Sequence, residues 1–328
     1  LLVATFIIGL REGLEMSLVI GILLAHLRRT GRSYAAPKIW WGVGSAVVVS
    51  FIAGAILTFG RYSLSFKAQE IIGGTMSILA VVMITSMVFW MMSHGATLQR
   101  DLEESVDKSV AKTATTAAGW GIFWLAFVTV AREGLETTII ILSWSSAAQA
   151  FIGAILGILI AAVLGVLLNR GMVRINLSVF FMWTGGLLII LAAGILAYGI
   201  HDLQEAAVLP GPFSGAPITP TDPLTGAVLV GFASSPFWLA AYPFGWAWDL
   251  SSSIAPDGFF AALAKGTVGW TPQMTWLEVT IWFLFITVAL TAFLFKVRAQ
   301  LKERRAVPAK KPVPVSTNTI VKIKELQA

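Results

Sequence analysis

Two stretches hold the residues best suited to chemistry. Residues 11–15 read Arg11-Glu12-Gly13-Leu14-Glu15, and residues 132–136 read Arg132-Glu133-Gly134-Leu135-Glu136. Each lies inside a long apolar run, Leu1 to Ala25 for the first and Gly119 to Trp144 for the second. Runs of that length are candidates to cross a membrane. A charge near the middle of such a helix costs roughly 2.5–3.5 kcal/mol on insertion scales, so three per motif cost on the order of 8–10 kcal/mol before any pairing. No folding benefit visible in the sequence offsets that, and intramembrane charge therefore points to function.

The glutamates of each motif stand at i,i+3 and share one helix face. Arg11 lies i,i+4 from Glu15, and Arg132 lies i,i+4 from Glu136, so each arginine can partly neutralise one carboxylate. If the two helices pack face to face, four negative groups meet two positive ones, leaving about −2 when all are ionised. Carboxylate oxygens are hard ligands, and such a cluster suits a multivalent cation. The glycine at the third position lets a neighbouring helix approach closely. The bland alternative is structural glue, with Arg11–Glu15 as a buried salt bridge. It leaves the other glutamate of each motif unpaired in lipid, which the cost of buried charge opposes.

The elements that must position these residues are membrane helices. Of 328 residues, 57% are hydrophobic and only 12% charged, with a mean hydropathy of +0.81. Soluble proteins carry about 25% charged residues. The expected fold is an all-α polytopic membrane protein. The absence of cysteine excludes disulfides and thiolate metal sites. The histidines, His26, His94 and His201, fall at predicted span ends, offer no haem pair, and no His-Glu-x-x-His run occurs. The first apolar run contains charges and is expected to be a true helix with its start trimmed, not a signal peptide.

Seven spans can be drawn: Leu2–His26, Ile39–Gly60, Lys67–Met92, Ala118–Trp144, Gln149–Leu168, Leu177–Gly199 and Trp276–Val297. Basic residues gather on the connections holding Arg28, Arg29, Arg32 and Lys38, then Arg100, Lys108 and Lys112, then Arg170 and Arg174, and on the tail. The positive-inside rule puts these segments in the cytoplasm, the N-terminus outside and the C-terminus inside. With its net charge of +6 placed there, the chain is not expected to bind nucleic acid. The recurring motif, and Gly73-Gly74 answered by Gly185-Gly186, predict an inverted 3+3 repeat plus a seventh helix. The expected division is a permease domain over 1–305 and a flexible basic tail over 306–328 that touches anionic lipid. Within the domain, 1–116 is the first repeat, 117–200 the second, 201–275 an outer loop and 276–298 the seventh helix.

The outer loop opens on His201-Asp202-Leu203-Gln204-Glu205, where Asp202 and Glu205 repeat the i,i+3 carboxylate spacing. Two readings stand, an acidic mouth that collects cations or a solvated helix end. Glu70 and Glu278, each in the first turn of an outer-starting span, either line an access path or favour a helix N-terminus. Asp249 either adds to the funnel or is a polar loop group. Pro210 to Pro223 break regular structure, and the aromatic run Phe237 to Trp248 suits a segment at the membrane interface.

These residues carry a resemblance to the high-affinity iron permease family. Paired Arg-Glu-x-x-Glu motifs in the first and fourth of seven helices resemble that family, as does Asp202-Leu203-Gln204-Glu205. Trp248-Asp249-Leu250-Ser251-Ser252, followed by Gly266 to Glu278, is similar to the last outer loop of its bacterial branch, the elemental iron uptake permeases. The resemblance covers about residues 1–298. It implies iron uptake, with Glu12, Glu15, Glu133 and Glu136 as iron ligands and Arg11 and Arg132 as their charge partners. Fungal members work with a multicopper oxidase, bacterial ones with an outer iron-binding lipoprotein and a haem peroxidase. No long acidic tail follows the last span, which favours the bacterial arrangement.

The expectation is thus a multi-pass permease of the plasma (inner) membrane. Iron, favouring Fe³⁺ on donor hardness, passes from Asp202 and Glu205 to the motif glutamates and on to the cytoplasm. It is the transported substrate, and no cofactor is implied. The rivals are a membrane di-iron carboxylate oxidase, a metal sensor signalling through the tail, and a permease for another hard divalent cation such as manganese. Di-iron bundles use Glu-x-x-His pairs, and neither motif has the histidine.

Overall fold

The structure is a computed structural model. It describes residues 2–62, 64–94, 104, 116–142, 147–169, 177–215, 221–227, 235–256 and 258–306. The connections with Arg100 and Arg170, the residue Asp257 and the tail beyond 306 lie outside the described residues. The helices are α1 (Leu2–Arg29), α2 (Ala36–Tyr62), α3 (Phe66–His94), α4 (Thr116–Leu142), α5 (Ala147–Asn169), α6 (Leu177–Glu205), α7 (Phe259–Thr267) and α8 (Trp276–Ala306). Leu1–Thr291 form one compact unit, and Ala292–Ala328 form a second that begins within α8.

All but α7 have 23 to 31 residues. At 1.5 Å per residue that is about 35–46 Å, more than the ~30 Å of a bilayer core. Among the described residues, five stretches are both long and apolar enough to cross: Ser33–Leu57, Phe66–Ser93, Ala150–Leu168, Val179–Glu205 and Trp276–Lys302. Helices α1 and α4 are as long, at 28 and 27 residues, but three motif charges interrupt each. The chain is a multi-pass helical membrane protein. Apolar side chains remain uncovered along its flanks, with Phe51 72%, Val163 61% and Phe283 65% exposed. Faces of that kind suit lipid.

Packing within the first unit follows a pattern of exchange. Helix α1 lies along α5, α2 along α4, and α3 along α6. Small residues make these approaches close. A Cβ on Gly13 would fall 2.6 Å from Ala161 Cβ on α5, and one on Gly134 would fall 2.8 Å from Ser50 Cβ on α2. So the motif glycines admit α5 and α2, and not the opposite motif helix. Helices α3 and α6 cross at Gly74, whose Cβ would fall 2.7 Å from the Gly199 carbonyl oxygen. Gly74, read from the sequence as the repeat counterpart of the Gly185-Gly186 step, meets Gly199 of that helix in space.

Local chemistry fixes the helix ends. α1 closes with Arg32 N–H donating to the Leu27 carbonyl at 2.8 Å and Gly31 at φ +72°, a Schellman stop. α6 closes the same way, with Val208 N–H donating to the Leu203 carbonyl at 3.0 Å, but Ala207 occupies the left-handed position at φ 54°. It therefore runs to Glu205, beyond the expected span end at Gly199. The segment after α6 is not all helix and loop. It contains a two-stranded antiparallel ribbon of β1 (Trp246–Asp249) and β2 (Gln273–Thr275). Thr275 then caps α8, taking the Glu278 N–H on its Oγ1 at 3.2 Å while Glu278 Oε1 accepts the Thr275 N–H at 3.2 Å. This reciprocal pair is a capping box.

Candidate metal centre

Both motifs are fully helical, so their residues project as the spacing requires, and α1 and α4 are in contact. Arg11, Glu12, Glu15, Glu133 and Glu136 are all buried, Arg11 and Glu12 to 1% exposure. Ligand oxygens of Glu12, Glu133 and Glu136 lie within 4.8 Å of one another. Glu12 comes from α1 and the other two from α4, so the group forms only when the helices meet.

The two motifs are not equivalent. Arg11 Nη1 reaches Glu12 Oε1 at 2.8 Å, and its Nη2 reaches Glu15 Oε1 at 2.8 Å. One guanidinium therefore answers both acids of the first motif, where spacing alone assigned it Glu15. Glu15 stands with Arg11 and outside the three-carboxylate group. Among the described residues Arg132 pairs with Glu136 alone, Nε to Oε1 at 2.9 Å, and its side chain is half-exposed. Glu12 Oε2 and Glu133 Oε2 have no hydrogen-bond partner among the described residues, nor has Arg11 Nε. Buried oxygens without partners cost free energy, and two on converging carboxylates make a place where a cation would be welcomed. The group holds oxygen donors only, with no histidine within it among the described residues.

The residues expected at an outer mouth divide into several settings. His201 Nδ1 pairs with Glu278 Oε1 at 3.0 Å, and its Nε2 lies 3.9 Å from Glu205 Oε1. Glu278 also builds the α8 cap, so it serves the helix terminus as well as the histidine. Asp202 is 3% exposed and its Oδ1 has no hydrogen-bond partner among the described residues. Among its charged neighbours, Glu70 on α3 acts on it most strongly. The two acids lie one turn from the Gly74–Gly199 crossing, which explains their meeting. Asp249 turns away to its own loop, accepting from Ser251 N at 3.0 Å and Ser251 Oγ at 2.6 Å. Gln204, between the two motif acids of this stretch, is fully buried. It donates to the Pro210 carbonyl at 2.7 Å and accepts from Thr275 Oγ1 at 2.7 Å.

Two contacts escaped sequence reasoning. Met87 Sδ on α3 lies 2.9 Å from Arg11 Nη1, and the Trp90 ring lies 5.7 Å from the Arg132 guanidinium. Neither residue type signals such a role, since Met and Trp in an apolar helix read as packing.

A helical membrane bundle that gathers carboxylates from two helices in its interior is the class that fold and geometry define. The chain belongs to the iron permease FTR1 family, whose description it matches over residues 2–212. It is 30% identical over 310 residues to "Ferrous iron permease EfeU" of Escherichia coli O6:K15:H31 (strain 536 / UPEC), covering 92% of this chain and 99% of that one. The protein of the same name from Shigella sonnei (strain Ss046) is 30% identical over 302 residues, 90% of this chain and 96% of that one. That from Yersinia pestis is 27% identical over 297 residues, 90% and 94% of the two chains. No solved structure matches.

Proposed function

We propose that the protein is an iron permease of the cytoplasmic membrane, in which iron passes through the group formed by Glu12, Glu133 and Glu136. The single observation that carries this reading is the convergence of those three buried carboxylates, within 4.8 Å, from both motif helices. Membership of an iron permease family supports the substrate. Glu15 and the two arginines tune the charge around the group. Donor hardness alone favours Fe³⁺. Charge balance favours Fe²⁺, because four glutamates and two arginines sum to about −2 and a divalent ion leaves the low-dielectric interior neutral. The relatives named ferrous iron permeases point the same way. We take Fe²⁺ as the transported ion.

All seven long helices cross the membrane in this reading, α1 and α4 included, with the N-terminus outside. Five of the six motif charges are tolerated because they are buried against one another, and the sixth, the half-exposed Arg132, is paired with Glu136. The exchange of partners supports the inverted repeat. Swapping α1 with α4, α2 with α5 and α3 with α6 turns the α1–α5 pair into the α4–α2 pair and leaves α3–α6 unchanged. Asp202, Glu205, His201 and Glu70 form the outer mouth. An outer iron-binding lipoprotein and a haem peroxidase are the partners that would supply it.

The test is radioactive iron uptake into proteoliposomes with Fe²⁺, Fe³⁺ and Mn²⁺ as competitors. Glu12→Ala and Glu133→Ala are expected to abolish uptake. Intact uptake in both would refute the site, and stronger competition by Mn²⁺ than by either iron would refute the substrate.

A further inference from the structure

Helix α3 brings no carboxylate to the cluster, yet one turn of it touches both arginines. Met87 Sδ stands 2.9 Å from Arg11 Nη1. Trp90, three residues on and therefore on the same face, lies with its ring centroid 5.7 Å from the Arg132 guanidinium. Met87 is buried, at 5% exposure, so its sulfur meets Arg11 away from water. Arg11 Nη1 divides its donors between this sulfur and Glu12 Oε1, the latter at 2.8 Å.

We propose that Met87 and Trp90 are positioning residues that take up the two arginines when iron occupies the carboxylates, and so set how tightly the cluster holds iron. The inference rests on the reading that the cluster binds iron. A cation at the unpartnered Glu12 Oε2 draws on the same carboxylate charge that Arg11 holds through Oε1, and so weakens the arginine's bond. A buried guanidinium N–H with no acceptor is costly, and the thioether, a weak acceptor, keeps one Nη1 N–H paired and the guanidinium in place while the bond to Glu12 weakens. On the other helix, a cation on Glu136 withdraws the oxygen held by Arg132 Nε, at 2.9 Å in this structure. The indole face then retains the guanidinium through its quadrupole. Iron and arginine compete for the charge of the same carboxylates, and α3 biases that competition towards iron.

Packing alone would not distinguish Met87 from leucine, which fills nearly the same volume; for Trp90 the tyrosine variant, which keeps a ring face, makes the distinction. The acceptor and the ring face are the properties to remove and restore. Uptake of ⁵⁹Fe is measured in proteoliposomes holding the full chain, with Met87→Leu, Met87→Gln, Trp90→Leu and Trp90→Tyr beside Glu12→Ala. Each leucine variant is expected to raise the KM for iron roughly threefold or more. Gln supplies an oxygen acceptor and Tyr a ring face, and both are expected to bring KM back towards that of the unaltered chain. KM does not depend on how much protein folds, so a variant with poor yield still reports. Unchanged KM in the leucine variants overturns the proposal, as does a Gln or Tyr variant as impaired as its leucine counterpart. Loss of uptake in Glu12→Ala with unchanged KM in the leucine variants sinks this inference alone. Retained uptake in Glu12→Ala instead sinks the reading of the cluster beneath it.

Discussion

Arg11 spans two carboxylates while Arg132 holds one, so equivalent residues of the two motifs should respond differently to substitution. Glu133→Gln and Glu12→Gln remove charge from the convergent group and are expected to lower iron uptake by about tenfold or more, one close charge contact being worth about 1.4 kcal/mol or above. Glu15→Gln leaves that group intact and removes the charge, but not the acceptor, facing one arm of Arg11, so a smaller effect, mainly on KM, is expected in the same flux measurement. Equal losses at all three positions would show that proximity to the group does not matter. In the β1–β2 ribbon, burial acts to raise the Asp249 carboxyl's pKa. Hydrogen bonds from the Ser251 hydroxyl, Gln273 and the Ser251 N–H outweigh it and hold the group below the usual carboxylate range. A lowered folded value means that ionised Asp249 stabilises the loop above the ordinary carboxylate pKa, and that this is lost as pH falls through the lowered one. Limited proteolysis is expected to cut near Ser251–Ser253 faster at strongly acidic pH than at neutrality, and Asp249→Asn is expected to remove that difference.

At the scale of elements, helix ends and crossings set where the side chains arrive. Ala207 sits in a conformation that favours glycine, at φ 54°, which costs an alanine roughly 1 kcal/mol. Ala207→Gly is therefore expected to raise the thermal unfolding midpoint in detergent without changing transport. Thr275 caps α8 and supports Gln204 through one hydroxyl. Thr275→Val is expected to lower stability by about 1–2 kcal/mol, whereas Thr275→Ser keeps the hydroxyl and should cost less. Gly134 faces Ser50 across the α2–α4 contact. Gly134→Leu would push α4 away from α2, so the predicted result is folded protein in reduced yield with little iron uptake.

For the molecule as a whole, the arrangement of crossings is open to direct labelling because the chain has no cysteine. Tyr34 lies between α1 and α2 and is 73% exposed, while Leu224 lies in the segment after α6 and is 95% exposed. In intact cells a membrane-impermeant thiol reagent is expected to modify Leu224→Cys and to spare Tyr34→Cys until the membrane is opened. The opposite pattern would invert the orientation, and modification of both would break the count of crossings between them.

How far the chain reveals itself before folding depends on the range of the interaction concerned. Hydrophobicity and charge are properties of residue type, so the long apolar runs, the doubled motif at 11–15 and 132–136, and the i,i+3 spacing within it could be read directly, as could the likeness to iron permeases. The helix-length signal and the i,i+4 arginine pairs needed only local geometry. Partner choice did not follow from spacing. That Arg11 would also take Glu12, that Glu15 would stand outside the carboxylate group, and that Gly74 would meet Gly199 depend on side-chain rotamers and helix crossings fixed by contacts far apart in the chain. The same holds for Met87 and Trp90, whose types say packing and whose places, beside two guanidiniums, were decided only when α3 came against the motif helices.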